Sequence, residues 1–245
     1  MVAKPHLDLP IVECGEPLVA LPRDHFVYVD PHPYVALGAP YGDKSPFFLR
    51  SSVVDRLLAA QTSLQQQHPK LSLQIFDAYR PLTVQQFMVD HTFQGLAQQF
   101  AQQYQLDPQN LTPDQVDNLR EQVHCFWAEP VTDLQQPPPH STGAAVDLTL
   151  FDLERQQPLD MGSPIDECSP RSYPDHFAPP INRSAGTTPP NPFHQNRLLL
   201  RTVLQQVGFQ NHPREWWHFS YGDQLWAWLE QQQGNATAVP CYGRP

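Results

Sequence analysis

Charge is scarce in this chain. Only 16% of its residues are Asp, Glu, Lys or Arg, against roughly 25% in an average globular protein. The 15 basic residues are outnumbered by 25 acidic ones, giving a net charge of −10. A basic footprint for nucleic acid is therefore missing, and no nucleic-acid partner is expected. No apolar run approaches the roughly 20 residues of a membrane span, so no membrane partner is expected either. The opening MVAKPHLDLPIVE has no apolar stretch before a small-residue cleavage site. A secretory signal is not expected, and the cytoplasm is the expected location. The 4 cysteines, Cys14, Cys125, Cys168 and Cys241, form no CxxC pair. That argues against a cysteine zinc site and for reduced thiols.

Proline is abundant at 28, beside 11 glycines, in 245 residues that are 40% hydrophobic. This predicts a packed interior built from many short elements, not a helical bundle. FVYVD (26–30) reads as a short strand. Val54, Leu57, Leu58, Gln61 and Leu64 mark one face of a helix from Ser51 to Gln67, with Ser51 or Ser52 as cap and His68-Pro69 as stop. LSLQIFDAY (71–79) alternates as a strand, with Leu71, Leu73 and Ile75 on one side. Pro81 opens a helix to about Gln103, and Thr112-Pro113 starts another to about Trp127. AAVDLTLFDL (144–153) is a strand with Val146, Leu148 and Leu150 on one face. Residues 156–195 are irregular, 196–209 form a helix closed by Gly208, and EWWHFSYG (215–222) alternates as a strand. No linker divides the chain, so one domain over 1–245 is expected, with a Gln-rich helical insertion at about 95–127. The tail after about Gln231 is expected to be poorly ordered.

Three segments hold chemistry. HSTGAAVD carries His140 and Asp147, an imidazole and a carboxylate that both suit zinc. Alone, this pair is more often a loop histidine beside an ordinary strand-edge aspartate. EWWHF carries Glu215 and His218. Three residues apart on a regular strand, they point to opposite faces, so they serve one site only if the strand bends or the metal sits at its end. FDAYRP carries Asp77 and Arg80. Such a pair forms either a structural salt bridge or a cation for a developing oxyanion.

DAYRP, HSTGAAVDLTL and EWWHF, in this order, resemble the zinc D-alanyl-D-alanine dipeptidases of the VanX type. That family is related to the D-Ala-D-Ala carboxypeptidases and the Hedgehog-like zinc fold. The resemblance runs from about Tyr28 to Tyr221. It implies an α+β fold, with a central, mostly antiparallel sheet flanked by helices. It implies one Zn2+ per chain on His140, Asp147 and His218, with Glu215 as general base and Arg80 stabilising the oxyanion. Asp166, in LDMGSPID, matches the carboxylate that receives the free amino group of a small dipeptide. Trp216 and Trp217 are expected to shape the pocket for the substrate methyl groups.

The chain also departs from the family. Pro138 stands two residues before the first zinc histidine, where the dipeptidases commonly carry serine. Two other readings stay open. One is a D,D- or L,D-carboxypeptidase acting on longer peptidoglycan stem peptides. The other is a non-catalytic binding protein on the same zinc fold.

Overall fold

The computed structural model describes residues 4–179 and 191–245. The first three residues of the expected non-signal N-terminus, and the 180–190 part of the irregular stretch, lie outside the described residues. Eight strands and six α-helices are found in the described chain. In chain order they are β1 Leu18–Ala20, β2 Val27–Tyr28, α1 Pro33–Ala36, β3 Phe48–Arg50, α2 Ser51–Gln67, β4 Leu71–Asp77, α3 Leu82–Tyr104 and α4 Pro113–Phe126. There follow β5 Ala145–Asp152, β6 Gln157–Pro158, α5 Pro192–Gln205, β7 Gln210–Asn211, β8 His218–Ser220 and α6 Gln224–Gln232. The fold is α+β.

The main sheet runs β2-β4-β5-β8-β7, with β6 added to β5. It is mostly antiparallel; β2 alone lies parallel to its neighbour, β4. The expected alternation in β4 and β5 is present. Leu73, Ile75, Val146, Leu148 and Leu150 are buried on one face against Val53, Leu57 and Leu64 of α2 and Leu200 and Leu204 of α5. Burying each such side chain contributes about 1.5–3 kcal/mol. On the far face, Val84, Met88 and Val123 from α3 and α4 enclose Tyr34 and Tyr41.

Helix α2 has the predicted bounds, but its cap is not local. Arg50 is the N-cap residue and makes no side-chain capping bond. The Glu16 carboxylate instead accepts from the Ser52 backbone N–H at 3.0 Å and from the Ser51 hydroxyl at 3.2 Å. A carboxylate there also complements the helix dipole. Thr112 caps α4, as the sequence predicts, and it also forms a capping box with Gln115. Helix α5 starts earlier than predicted, because Asn191 caps it and Pro192 takes its first position. Among the described residues, no helix is long and apolar enough to cross a membrane.

The expectation of a poorly ordered tail is corrected. Tyr242 is 2% exposed and belongs to the main core. The Cys14 N–H donates to the Cys241 carbonyl at 3.0 Å, and the Val12 N–H to that of Pro240 at 2.9 Å. Arg50, also buried, joins both ends. Its guanidinium donates to the carbonyls of Glu16, Gly243 and Thr142, and pairs with Glu13. Pairing with a distant segment orders these residues, which local composition does not reveal.

Candidate active site

Three neighbouring strands end at one place. The register sets Asp77 of β4 opposite Asp147 of β5, and Asp147 opposite His218 of β8. A register shift between Ile75 and Asp77 breaks the alternation that would send Asp77 into the core with Ile75. The fourth group arrives on a 3-10 turn, Pro139–Thr142, which ends at Gly143 with φ +73°. That left-handed φ favours glycine, and a Cβ there would also displace a Leu18 methyl from 2.2 Å.

His140 is locked within that turn. Its Nδ1 donates to the Ala78 carbonyl at 2.7 Å, which leaves Nε2 with a bare lone pair. Nε2 lies 3.1 Å from His218 Nδ1 and 3.2 Å from Asp147 Oδ2. His218 Nδ1 is 3.0 Å from Asp147 Oδ1. Ligands on a tetrahedral metal at 2.0–2.1 Å stand about 3.4 Å apart, so the cluster has the right size. All three residues are buried, and their ligand atoms lie within 4.8 Å of one another. Two imidazoles and one carboxylate are a donor set for a divalent metal, with room for a fourth ligand. Burial pushes the Asp147 carboxyl up, but His140 and His218 outweigh it and hold the group well below the usual range. Asp147 therefore stays ionised, as a metal ligand must.

Glu215 does not lie on the strand. The segment 215–217 is a turn, and β8 begins only at His218. That turn removes the conflict over opposite faces. One Glu215 oxygen is 3.8 Å from His218 Nδ1 and the other 3.8 Å from His212 Nδ1. Burial pushes the Glu215 carboxyl up to about 7. A carboxylate poised there exchanges protons near neutrality.

Asp77 and Arg80 form the structural salt bridge, with Nη2 at 2.7 Å and Nε at 3.0 Å from Asp77 Oδ2. Arg80 also borders the cluster, its Nη2 lying 3.6 Å from Asp147 Oδ2. Its guanidinium sits over the rings of Trp127 and Tyr34. Asp77 additionally accepts from His32 Nε2 and the Tyr41 hydroxyl, each at 3.2 Å on Oδ1.

Asp166 adopts φ +66°, a left-handed conformation uncommon outside glycine. The Tyr34 hydroxyl donates to its Oδ2 at 2.9 Å. Burial, reinforced by the charge of Asp147, raises its carboxyl to about 6. Both tryptophans are buried in the main core, and they differ in what they line. Trp216 donates from Nε1 to Ser163 and, with Phe76, Thr149, Ile165 and Phe177, lines a cavity of about 590 Å3. Trp217 packs in the main core, and the described residues lining that cavity do not include it. Sequence reasoning missed His32, Tyr34, Tyr41 and His212. The aromatic, histidine-bearing PHPY (31–34) was the available signal, but nothing local ties it to DAYRP.

Buried His and Asp donors, a raised carboxylate and a fixed arginine together make up the equipment of a metal-dependent hydrolase. The family profile described as D-ala-D-ala dipeptidase, of the M15 peptidases, matches residues 28–238. The chain belongs to this family of peptidases. It is 43% identical to a D-alanyl-D-alanine dipeptidase of Synechocystis over 251 residues, covering 98% of this chain and 96% of that one. A D-alanyl-D-alanine dipeptidase of Enterococcus faecalis is 35% identical over 85 residues, 35% of this chain and 37% of that one. Among solved structures, the LdcB LD-carboxypeptidase aligns with a TM-score of 0.46 at 14% identity, covering 93% of this chain and 79% of that one.

Proposed function

We propose that this protein is a zinc dipeptidase that hydrolyses D-alanyl-D-alanine to two D-alanines. The observation that carries the reading is the buried His140, Asp147 and His218 cluster with Glu215 at 3.8 Å from His218 Nδ1. Family membership supplies the substrate class. One Zn2+ held by these three residues would polarise the scissile carbonyl and make water a stronger acid.

The remaining chemistry belongs to the chain. Glu215 takes the proton of the attacking water and delivers it to the leaving nitrogen. Arg80, fixed by Asp77 and always charged, stabilises negative charge on the carbonyl oxygen. Asp166, steadied by Tyr34, receives the substrate's ammonium. That pairing favours a free amino terminus, hence a dipeptide over a longer stem peptide. Trp216 shapes the wall of the substrate pocket; Trp217 supports it from the core.

The continuity of the main core from Leu21 to Tyr242 supports a single peptidase domain. The test is D-alanine release from D-Ala-D-Ala by zinc-loaded protein, with a chelator control. L-Ala-L-Ala and a pentapeptide ending in D-Ala-D-Ala run beside it. Chelator-sensitive cleavage of the D,D-dipeptide alone is the expected result. Cleavage of the pentapeptide would move the function to a carboxypeptidase, and cleavage of none would leave a binding role.

A further inference from the structure

His32 is 5% exposed and belongs to none of the three sequence segments that carry the chemistry. Both of its ring nitrogens are committed, and to opposite sides. Nδ1 accepts from the backbone N–H groups of Tyr34 at 3.2 Å and Val35 at 3.4 Å, which caps α1. An accepting Nδ1 leaves the ring proton on Nε2. Nε2 then donates to Asp77 Oδ1 at 3.2 Å.

Each nitrogen is one bond away from a different working group. Through Asp77, the Nε2 side reaches Arg80, whose Nη2 and Nε both donate to Asp77 Oδ2. Through the cap, the Nδ1 side fixes the first turn of α1 and so the ring of Tyr34, whose hydroxyl donates to Asp166 at 2.9 Å. The geometry points to His32 as a positioning residue that sets two arms of the site at once. One arm is the Arg80 cation and the other is the Tyr34–Asp166 pair that receives the ammonium. The four rings packed around it, Tyr34 at 5.1 Å, Phe47 at 5.4 Å, Tyr41 at 5.7 Å and Phe76 at 6.4 Å, hold the imidazole in one orientation. Neither nitrogen can therefore change partner without losing the other bond.

The inference rests on the dipeptidase reading for what each arm does, and it makes the two arms separable. Asparagine places an oxygen where Nδ1 stands and is a good cap, but it is too short to reach Asp77. Glutamine places an amide nitrogen where Nε2 stands, and it is a poor cap. His32→Asn therefore keeps α1 and releases the Arg80 side. His32→Gln keeps the Arg80 side and releases α1.

Interactions made only in the transition state appear in kcat, and those made equally with bound substrate appear in KM. For D-Ala-D-Ala hydrolysis, His32→Asn should lower kcat about tenfold with little change in KM. His32→Gln should raise KM about tenfold with kcat held, since Asp166 loses the hydroxyl that steadies it. Metal content should equal that of the wild type in both. A purely structural role would reduce both variants alike through folded fraction. Parallel losses of that kind, or wild-type constants in both, would overturn the inference.

Crystal structures of the two variants provide a readout that needs no activity. The Asp77–Arg80 pair should shift together relative to Asp147 in His32→Asn, and the Tyr34 hydroxyl should leave Asp166 in His32→Gln. Failure of the wild type to cleave the dipeptide refutes the functional reading. Unmoved Arg80 and Tyr34 in these crystals refute the positioning role separately.

Discussion

Asp77→Asn removes one charge and almost no volume, so its effect can be worked from the contacts. The carboxylate is fully buried and meets donors on both oxygens. His32 Nε2 and the Tyr41 hydroxyl face Oδ1, while Arg80 Nε and Nη2 face Oδ2. An asparagine must turn its NH2 toward one of these pairs, so two donors lose an acceptor in either orientation. Arg80 also loses its closest counter-charge and keeps Asp147 at 3.6 Å and the Gln85 oxygen at 3.1 Å. Breaking a buried ion pair costs about 3–5 kcal/mol, and these residual partners place the expected loss near the lower end, about 3 kcal/mol. Urea unfolding of metal-free protein should show the midpoint fall with m unchanged. The pH dependence has a definite sign. Burial pushes Asp77 up, but Arg80 and His32 more than offset this, so its folded-state carboxyl lies below the ordinary value. Its contribution is therefore present above about pH 4 and is lost as pH falls through the folded-state value. The destabilisation by Asp77→Asn should be largest at neutral pH and shrink in acid. A variant as stable as the wild type at pH 7, or a difference that grows in acid, would refute the ion-pair argument.

Five further outcomes are expected. Glu215→Gln should retain the metal while turnover drops about 10²–10⁴-fold, measured by metal analysis beside D-alanine release. Activity of the wild type should fall as Glu215 protonates, at a midpoint below the metal-free value of about 7 because a bound cation favours the carboxylate. For the metal-free protein the stability sign is reversed: the raised carboxyl stabilises the fold below about pH 4 and loses that contribution as pH rises through about 7, and Glu215→Gln should abolish this slope in urea titrations. Asp166→Asn should raise KM for D-Ala-D-Ala by about 10- to 100-fold and narrow the preference over the N-acetyl dipeptide, read by steady-state kinetics. Tyr242→Ala should cost about 3 kcal/mol in urea unfolding, since the ring is buried in the core; a loss below 0.5 kcal/mol would contradict the packing of that segment.

What the sequence made legible followed from local pattern. Helix α2 was bounded at Ser51 and Gln67 because apolar spacing and the His68-Pro69 stop act within a few residues. The core faces of β4 and β5 were legible for the same reason. The cap of α2 was not, because Glu16 is brought to Ser52 by the fold and not by spacing. The strand at EWWHF was overextended, because two tryptophans alternate as convincingly in a turn as in β8. His140, Asp147 and His218 were found through the resemblance, and the structure brings them together. Their convergence depends on strand order and register, neither of which is written in any one segment. His32, Tyr34 and Tyr41 were missed because their partners, Asp77 and Asp166, lie more than 30 residues downstream.

The hub at Arg50 constrains the order in which the enzyme can be completed. Its guanidinium holds the Thr142 carbonyl, in the turn that carries His140, and also the carbonyl of Gly243, 193 residues further along the chain. Glu13 reinforces the junction by accepting from the Gly243 N–H at 2.6 Å. During synthesis, His140, Asp147 and His218 have all left the peptidyl-transferase centre before Gly243 is added. The hub nevertheless stays open until that residue arrives. A nascent chain thus carries its ligands with Arg50 still short of a partner, and the hub closes only after Gly243 has been made.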